Sequence, residues 1–458
     1  MSVVMARASG PNATRHEGSA HRADESHPCG ESAPVVSLNL GRLARLGSQG
    51  VWAVSDQALF AGSNLLVNVL LARWLPGPEY GAFVTAYSVM VLAQIAHSAL
   101  LIEPMLIFGA DKHQASFSHY FTILLGYHWK LTLGISVCLA AAAAIIATTV
   151  DGLLGEALAG TAVISPFVFL SWLARRGCYG ASIPKMATLG GAINLVVVLV
   201  GLLVLKQVHL LNVFSGQIIV GVAALAATAF LFPTLGRVTS MPVPPGPRSE
   251  VWSDHWRYAR WSSASGACTW FYTFIYYLVL PKWHGLAASG SLKALLNLIM
   301  PILHSDGALI TLLLPQFVRS RRVPGRFVRI VSATAAAFLC EAALYWLMLL
   351  FVGQRLVGLL YGTTFHFDRS VVLLIGAIPP LTSLVNILSN ALRAREEPDG
   401  VFWATVAATL TAATAGVWAV ASWGITGAII GTILSSGVQI GVMIWLLWRA
   451  PSRVVASS

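Results

Sequence analysis

The sequence predicts an all-α polytopic membrane protein, with about twelve transmembrane helices in two six-helix lobes related by a pseudo-two-fold axis. Three observations lead there. Some twelve apolar stretches run along the chain, each near the ~20 residues a helix needs to cross a bilayer. Basic residues fall almost wholly in alternate gaps between these stretches. The two halves also share a short motif at a constant offset.

The spans are expected near 52–73, 82–109, 121–150, 157–174, 187–205 and 212–235. A second set is expected near 262–281, 288–317, 327–352, 370–392, 401–421 and 424–448. Each must satisfy its own backbone in lipid, so each is read as a helix. Taking alternate gaps from the N-terminus as inside, that set holds 23 of the 29 Lys and Arg residues, including Lys112 and Lys130. The outside gaps and the span ends beside them hold Arg73, Lys206, Lys282, Arg355 and Arg369, and Lys293 is the one residue assigned to neither side. Positive charge is retained in the cytoplasm, so both termini are expected there.

The expected order is a disordered cytoplasmic tail (1–49), an N-lobe (50–235), a cytoplasmic linker (236–261), a C-lobe (262–449) and a short cytoplasmic tail (450–458). The first tail is polar and lacks the apolar region of a signal peptide. The linker carries the Pro-rich run MPVPPGPR. The repeat sits at the ends of the first spans. LARWLPGPEYG (71–81) aligns with LPKWHGLAASG (280–290) at an offset of 209, pairing Leu71 with Leu280, Arg73 with Lys282, Trp74 with Trp283 and Gly81 with Gly290. Six spans per repeat put both halves in the same orientation, about an axis along the membrane normal. Interfacial anchoring alone would also place Trp and Arg at span ends.

Composition narrows the function classes. With 56% hydrophobic and 10% charged residues, the chain has more apolar surface than a soluble fold can hide. The net charge of +11 is spread through inside loops, so no nucleic-acid partner is expected. Among the five cysteines no outside pair exists, so no disulfide framework is indicated. The loops are too short for a soluble catalytic domain, and no P-loop, metal-ligand cluster or nucleophile elbow is present. No enzyme activity, cofactor or metal is expected.

Four segments carry a family resemblance: DQALFAGSNLLVNVLLARWLPGPEYGAFVTAYSVMVLAQ (56–94), LLIEPM (100–105), RRGCYGASIP (175–184) and SLKALLNLIMPIL (291–303). Together they resemble bacterial polysaccharide-biosynthesis membrane proteins. These are lipid-linked oligosaccharide flippases of the multidrug/oligosaccharidyl-lipid/polysaccharide exporter superfamily. The resemblance runs from about residue 50 to the C-terminus. It implies two lobes around a central cavity that opens alternately to each side. It also implies the bacterial inner membrane, an undecaprenyl-diphosphate-linked oligosaccharide as substrate, and a polysaccharide polymerase and chain-length regulator as partners beside the membrane lipids. His304 and Asp306 depart from the family pattern.

Charge within a bilayer is costly and is kept by facing a cavity or a partner. Lys293, Asn297 and His304 are spaced to share a helix face, giving a polar stripe with one cation. A lysine so placed suits phosphate oxygens. It could instead snorkel to the outer surface or pair with an acid. Gln57, Asn64 and Asn68 share a face of the first span, and the offset brings Thr273 and Tyr277 to the matching places. These side chains suit sugar hydroxyls, or hydrogen bonds between helices. Asp56, Glu103, Asp306 and Glu341 are the acids in or at the ends of spans and are candidates for ion coupling. Asp56 and Glu103 also read as water-exposed helix-end residues, Asp306 sits deepest, and Glu341 has no evident partner.

The leading expectation is a flippase for undecaprenyl-diphosphate-linked oligosaccharide, serving exopolysaccharide or O-antigen export. The alternatives are a cation-coupled multidrug antiporter of the same fold and a membrane polysaccharide polymerase or ligase. Acids would dominate the cavity of the first alternative, and a long outside loop would mark the second. The longest outside loop, about 353–369, is short, though it holds Arg355, His366 and Arg369.

Overall fold

The computed structural model describes residues 40–109, 111–237, 248–321 and 323–449. Most of the expected N-terminal tail, the Pro-rich part of the linker and the C-terminal tail lie outside these residues. Every regular element among the described residues is helical. In the first half the elements are α1 (Leu40–Trp74), α2 (Gly77–Phe108), α3 (Phe117–Thr149), α4 (Gly152–Gly180), α5 (Pro184–Gln207) and α6 (Val213–Arg237). In the second half they are α7 (Arg248–His284), α8 (Leu286–Ser320), α9 (Pro324–Tyr361) and α10 (Arg369–Ala394). The final segment, Pro398–Arg449, has 52 residues. As one helix it would be about 78 Å long, more than twice a bilayer's apolar thickness. Gly424 breaks it with φ of 56°, giving limbs α11 (398–423) and α12 (425–449). A left-handed φ suits a residue without Cβ.

Ten described segments are long and apolar enough to cross a membrane, and the last of them supplies both α11 and α12. α7 completes the twelve: its second half is apolar and aromatic, while its first half is too polar for it to count by composition. The chain is a multi-pass membrane protein. Several helices outrun the bilayer. α3 has 33 residues, about 50 Å, so the stretch beyond Lys130 is alone about one bilayer thickness long. Helix runs beyond the expected spans at two places: α1 begins at Leu40, and residues 248–261 form the first turns of α7.

The halves repeat one packing scheme. In the first, α2 and α3 pack on α4, α4 on α6, and α5 on α6. In the second, α8 and α9 pack on α10, α10 on α12, and α11 on α12. Shifting each helix number by six maps one set onto the other. These are two six-helix lobes with pseudo-two-fold symmetry. The lobes meet chiefly where α2 lies along α8, with α7 also against α2.

The repeat residues explain this meeting. α2 starts at Gly77 and α8 at Leu286, again 209 apart. A Cβ on Gly81 would collide with the backbone of Leu286, and one on Gly290 would press on Tyr80 and the Gly81 nitrogen. Small residues let helix backbones approach this closely in lipid, where association rests on packing. Leu71 and Leu280, the paired residues one helix earlier, are both buried.

Candidate functional site

Polar side chains from α1, α2 and α8 form a hydrogen-bonded chain beside this junction. Asn64 Nδ2 donates to the Tyr87 hydroxyl (3.4 Å), and Asn68 Nδ2 donates to Asn64 Oδ1 (3.0 Å) and to the Asn64 carbonyl (2.8 Å). The Tyr80 hydroxyl donates to Asn68 Oδ1 (3.5 Å) and accepts from Asn297 Nδ2 (3.4 Å). The chain Tyr87–Asn64–Asn68–Tyr80–Asn297 thus crosses from one lobe to the other. Tyr80, Asn68 and Asn297 are buried. Tyr361 of α9 closes over this end, its hydroxyl bonded to the Ala294 carbonyl at 2.9 Å. These bonds around Tyr80 are long and therefore weak.

One turn before Asn297 on α8 stands Lys293, only 9% exposed. Burial excludes a side chain that snorkels into water in this conformation. No carboxylate lies within ion-pair distance of it among the described residues. His304, further along the stripe, is exposed yet within electrostatic reach of Lys293.

A cavity of about 130 Å³ opens inside the N-lobe, lined by residues of α1, α2, α4, α5 and α6. Asn64, Asn68, Asn194 and Gln217 give it amides, Trp172 an aromatic wall, and Arg175 a cation. Lys293 and Asn297 do not line it. The polar chain therefore joins this cavity, through Asn64 and Asn68, to the α8 stripe, through Asn297.

Arg175 is held rigidly. Its Nε lies 2.8 and 3.0 Å from the two Asp56 oxygens, and its Nη2 lies 2.8 Å from Oδ2. The Tyr179 hydroxyl donates to the same oxygen at 2.6 Å, and the guanidinium sits 4.3 Å above the Phe60 ring. Asp56 is 1% exposed. This corrects its reading as a water-exposed helix end, because pairing with Arg175 offsets its desolvation. Glu103 is also engaged, accepting from the Ser262 hydroxyl of α7 at 2.6 Å.

The deep acids lie in the C-lobe. Asp306 of α8 is 1% exposed; Oδ2 accepts from Ser383 of α10, and Oδ1 is buried without a partner among the described residues. Glu341 has a partner that the sequence did not suggest, the Ser305 hydroxyl at 3.0 Å.

Three expected residues stay outside the network. Gln57 is exposed and off the cavity wall. Thr273 is exposed, with its hydroxyl bonded to the Thr269 carbonyl. Tyr277 is buried between the lobes, and its carbonyl accepts from Thr85 of α2 and Ser289 of α8. Arg175, Tyr80 and Tyr87 were missed. The seven-residue spacing of Tyr80 and Tyr87, matching a helix face opposite Asn64 and Asn68, was the available signal.

The first turns of α7 tie the lobes on the side of the basic loops. Lys112 bridges Glu250 (2.6 Å) and Asp254 (2.9 Å). Its pKa is raised chiefly by these two hydrogen-bonded carboxylates. His255 is bonded at one nitrogen to the Leu100 carbonyl and at the other to the Tyr120 hydroxyl, both at 2.7 Å.

No protein-family model and no curated protein matches this chain. Solved structures do. An inward-facing multidrug resistance MATE family transporter of the MOP superfamily superposes with a TM-score of 0.68 at 14% identity, over 87% of this chain and 98% of that one. The chain has the fold of these transporters. The lipid II flippase MurJ in an inward closed conformation gives 0.67 at 11% identity, over 88% of each chain. A MOP superfamily transporter from Pyrococcus furiosus gives 0.56 at 13% identity, over 90% of this chain and 94% of that one.

Proposed function

We propose that this protein is a flippase of the bacterial inner membrane that moves an undecaprenyl-diphosphate-linked oligosaccharide outward for exopolysaccharide or O-antigen assembly. The observation that carries the reading is the buried, acid-free Lys293 beside Asn297, the C-lobe end of the inter-lobe polar chain. An unpaired cation at a moving interface suits a diphosphate. The amides and aromatics of the N-lobe cavity suit sugar hydroxyls and ring faces. MurJ, a lipid II flippase, shares the fold and lends analogy only.

In this mechanism the two lobes rock about the α2–α8 contact. The head group enters between them, its diphosphate drawn to Lys293, while the lipid tail stays in the bilayer. Asn297 and Tyr80 exchange their mutual bond for bonds to the substrate, so the interface stays satisfied when it opens. A polymerase and a chain-length regulator would act on the emerging product. Deletion of the gene, followed by lipid extraction, tests this: lipid-linked repeat units should accumulate on the inner face. Their absence alongside unchanged polymer would overturn it.

The second reading is a cation-coupled multidrug antiporter, favoured by Asp306 with its unpartnered buried oxygen near Ser383. It predicts drug sensitivity on deletion, with no trapped lipid intermediate. In either reading Asp306 and Glu341 are the C-lobe candidates for ion coupling.

A further inference from the structure

The N-lobe holds a pair of histidines that the substrate path does not use. His97 of α2 and His128 of α3 are both 0% exposed. His97 Nε2 and His128 Nδ1 are 2.9 Å apart, and the rings are edge to face at 89°. The outward nitrogens, His97 Nδ1 and His128 Nε2, have no hydrogen-bond partner. The Pro166 carbonyl of α4 faces His128 but outside hydrogen-bonding geometry. The Phe169 ring covers His97 at 5.2 Å, and Trp129 stands against His128.

Two buried imidazoles with both ends open are a poor structural element, because each orphaned nitrogen costs desolvation without return. They are a good proton relay. A neutral pair shares one N–H···N bond, which leaves one outward N–H and one outward lone pair. A proton taken at the bare end gives a monocation. Release from the other end restores neutrality, with the shared proton moved across. The 2.9 Å gap between the facing nitrogens leaves no room for a metal ion.

The position couples the pair to the lobes. His97 immediately precedes a π-helical turn, Ser98–Ile102, and such turns mark an inserted residue. Converting it to α-helix would rotate the residues beyond it by about 100°. Two of the groups in and just beyond this turn hold α7: the Leu100 carbonyl accepts from His255, and Glu103 accepts from Ser262. The titratable group that faces His97 is His128 on α3, while Glu103 of α2 and His255 of α7 engage the far side of the turn. α4 presents Phe169 and Pro166.

We propose that His97 and His128 form a proton-binding site that takes up one proton when the N-lobe opens to water, and that the π turn passes this event to α7. The site is independent of which substrate the lobes carry. Hydrogen exchange of the purified protein in nanodiscs, read between pH 5 and 8 and corrected for intrinsic rates, tests it. In peptides covering 98–108 and 248–262, protection should fall about tenfold for each unit by which the pH falls through the transition, because the opened lobe holds one more proton than the closed one. The double variant His97→Gln with His128→Asn keeps an amide at each facing nitrogen but binds no proton, and its protection should be flat. His113→Asn, which alters a neighbouring titratable ring stacked on Tyr120, should keep the wild-type slope. A slope that survives in the double variant, or that vanishes in His113→Asn, overturns the proposal. Should the double variant misfold, ¹⁵N-histidine spectra of the unaltered protein decide. One ring of the pair must convert to the cation over the same pH range, and two rings that stay neutral throughout overturn it.

Discussion

Gly81 and Gly290 hold equivalent places in the two lobes and lie against each other. A Cβ built on Gly290 would come within 3.1 Å of the Gly81 nitrogen, and one on Gly81 would strike the Leu286 backbone. Each glycine thus rests on the start of the other lobe's helix. A reciprocal contact of this kind is what a two-fold axis produces, and it places that axis between α2 and α8.

Gly81→Leu should therefore force the lobes apart. Overpacking of this kind costs about 1–3 kcal/mol, and a thermal melt in detergent should show the loss. Gly62→Ala is the control, since nothing lies within 4 Å of its added Cβ. Equal shifts for the two variants would show that the α2–α8 approach is not tight.

Asp56→Ala should be strongly destabilising, by about 3–5 kcal/mol, because it strands the buried Arg175. Combining it with Arg175→Met removes the stranded charge and should recover most of the loss. A double variant that melts as low as the single would mean that the pair contributes more than mutual neutralisation.

Residues Gly325 and Gly362 sit at opposite ends of α9, whose 38 residues span about 57 Å. Reporter fusions should read cytoplasmic at Gly325 and periplasmic at Gly362. Matching signals from the two would contradict the topology.

Much of the fold was legible because the bilayer makes length and apolarity decisive. The span order, the break near 424 and the 209-residue offset all follow from local sequence. The α7 start was not legible, since 248–261 is polar and helical only because Val251, His255 and Ala259 bury one face. Side-chain partners were less legible. Asn64, Asn68 and Asn297 were identified from helical periodicity, yet their joining through Tyr80 depends on tertiary packing. Asp56 looked solvated because its partner Arg175 lies 119 residues away. Thr273 matched Asn64 by offset, but a threonine can satisfy itself on the preceding turn, and this one does.

Asn297→Leu should break the inter-lobe chain and leave the Tyr80 hydroxyl with one fewer partner. Export should fall, while Thr273→Val should leave it unchanged. Polymer yield in a deletion strain carrying each variant measures this, and equal yields would remove Asn297 from the pathway.

Lys293 carries the central claim. Purified protein in proteoliposomes, supplied with polyprenyl-diphosphate-linked oligosaccharide, reports flipping directly through enzymatic access to the translocated head group. Wild type should flip it. Lys293→Ala should lose about tenfold or more of the rate, the equivalent of one charge-assisted hydrogen bond, and Lys293→Arg should retain part of it because the charge persists. Wild-type flipping by a stably inserted Lys293→Ala protein would contradict the assignment of Lys293 to the diphosphate and, with it, the argument for an anionic lipid-linked substrate.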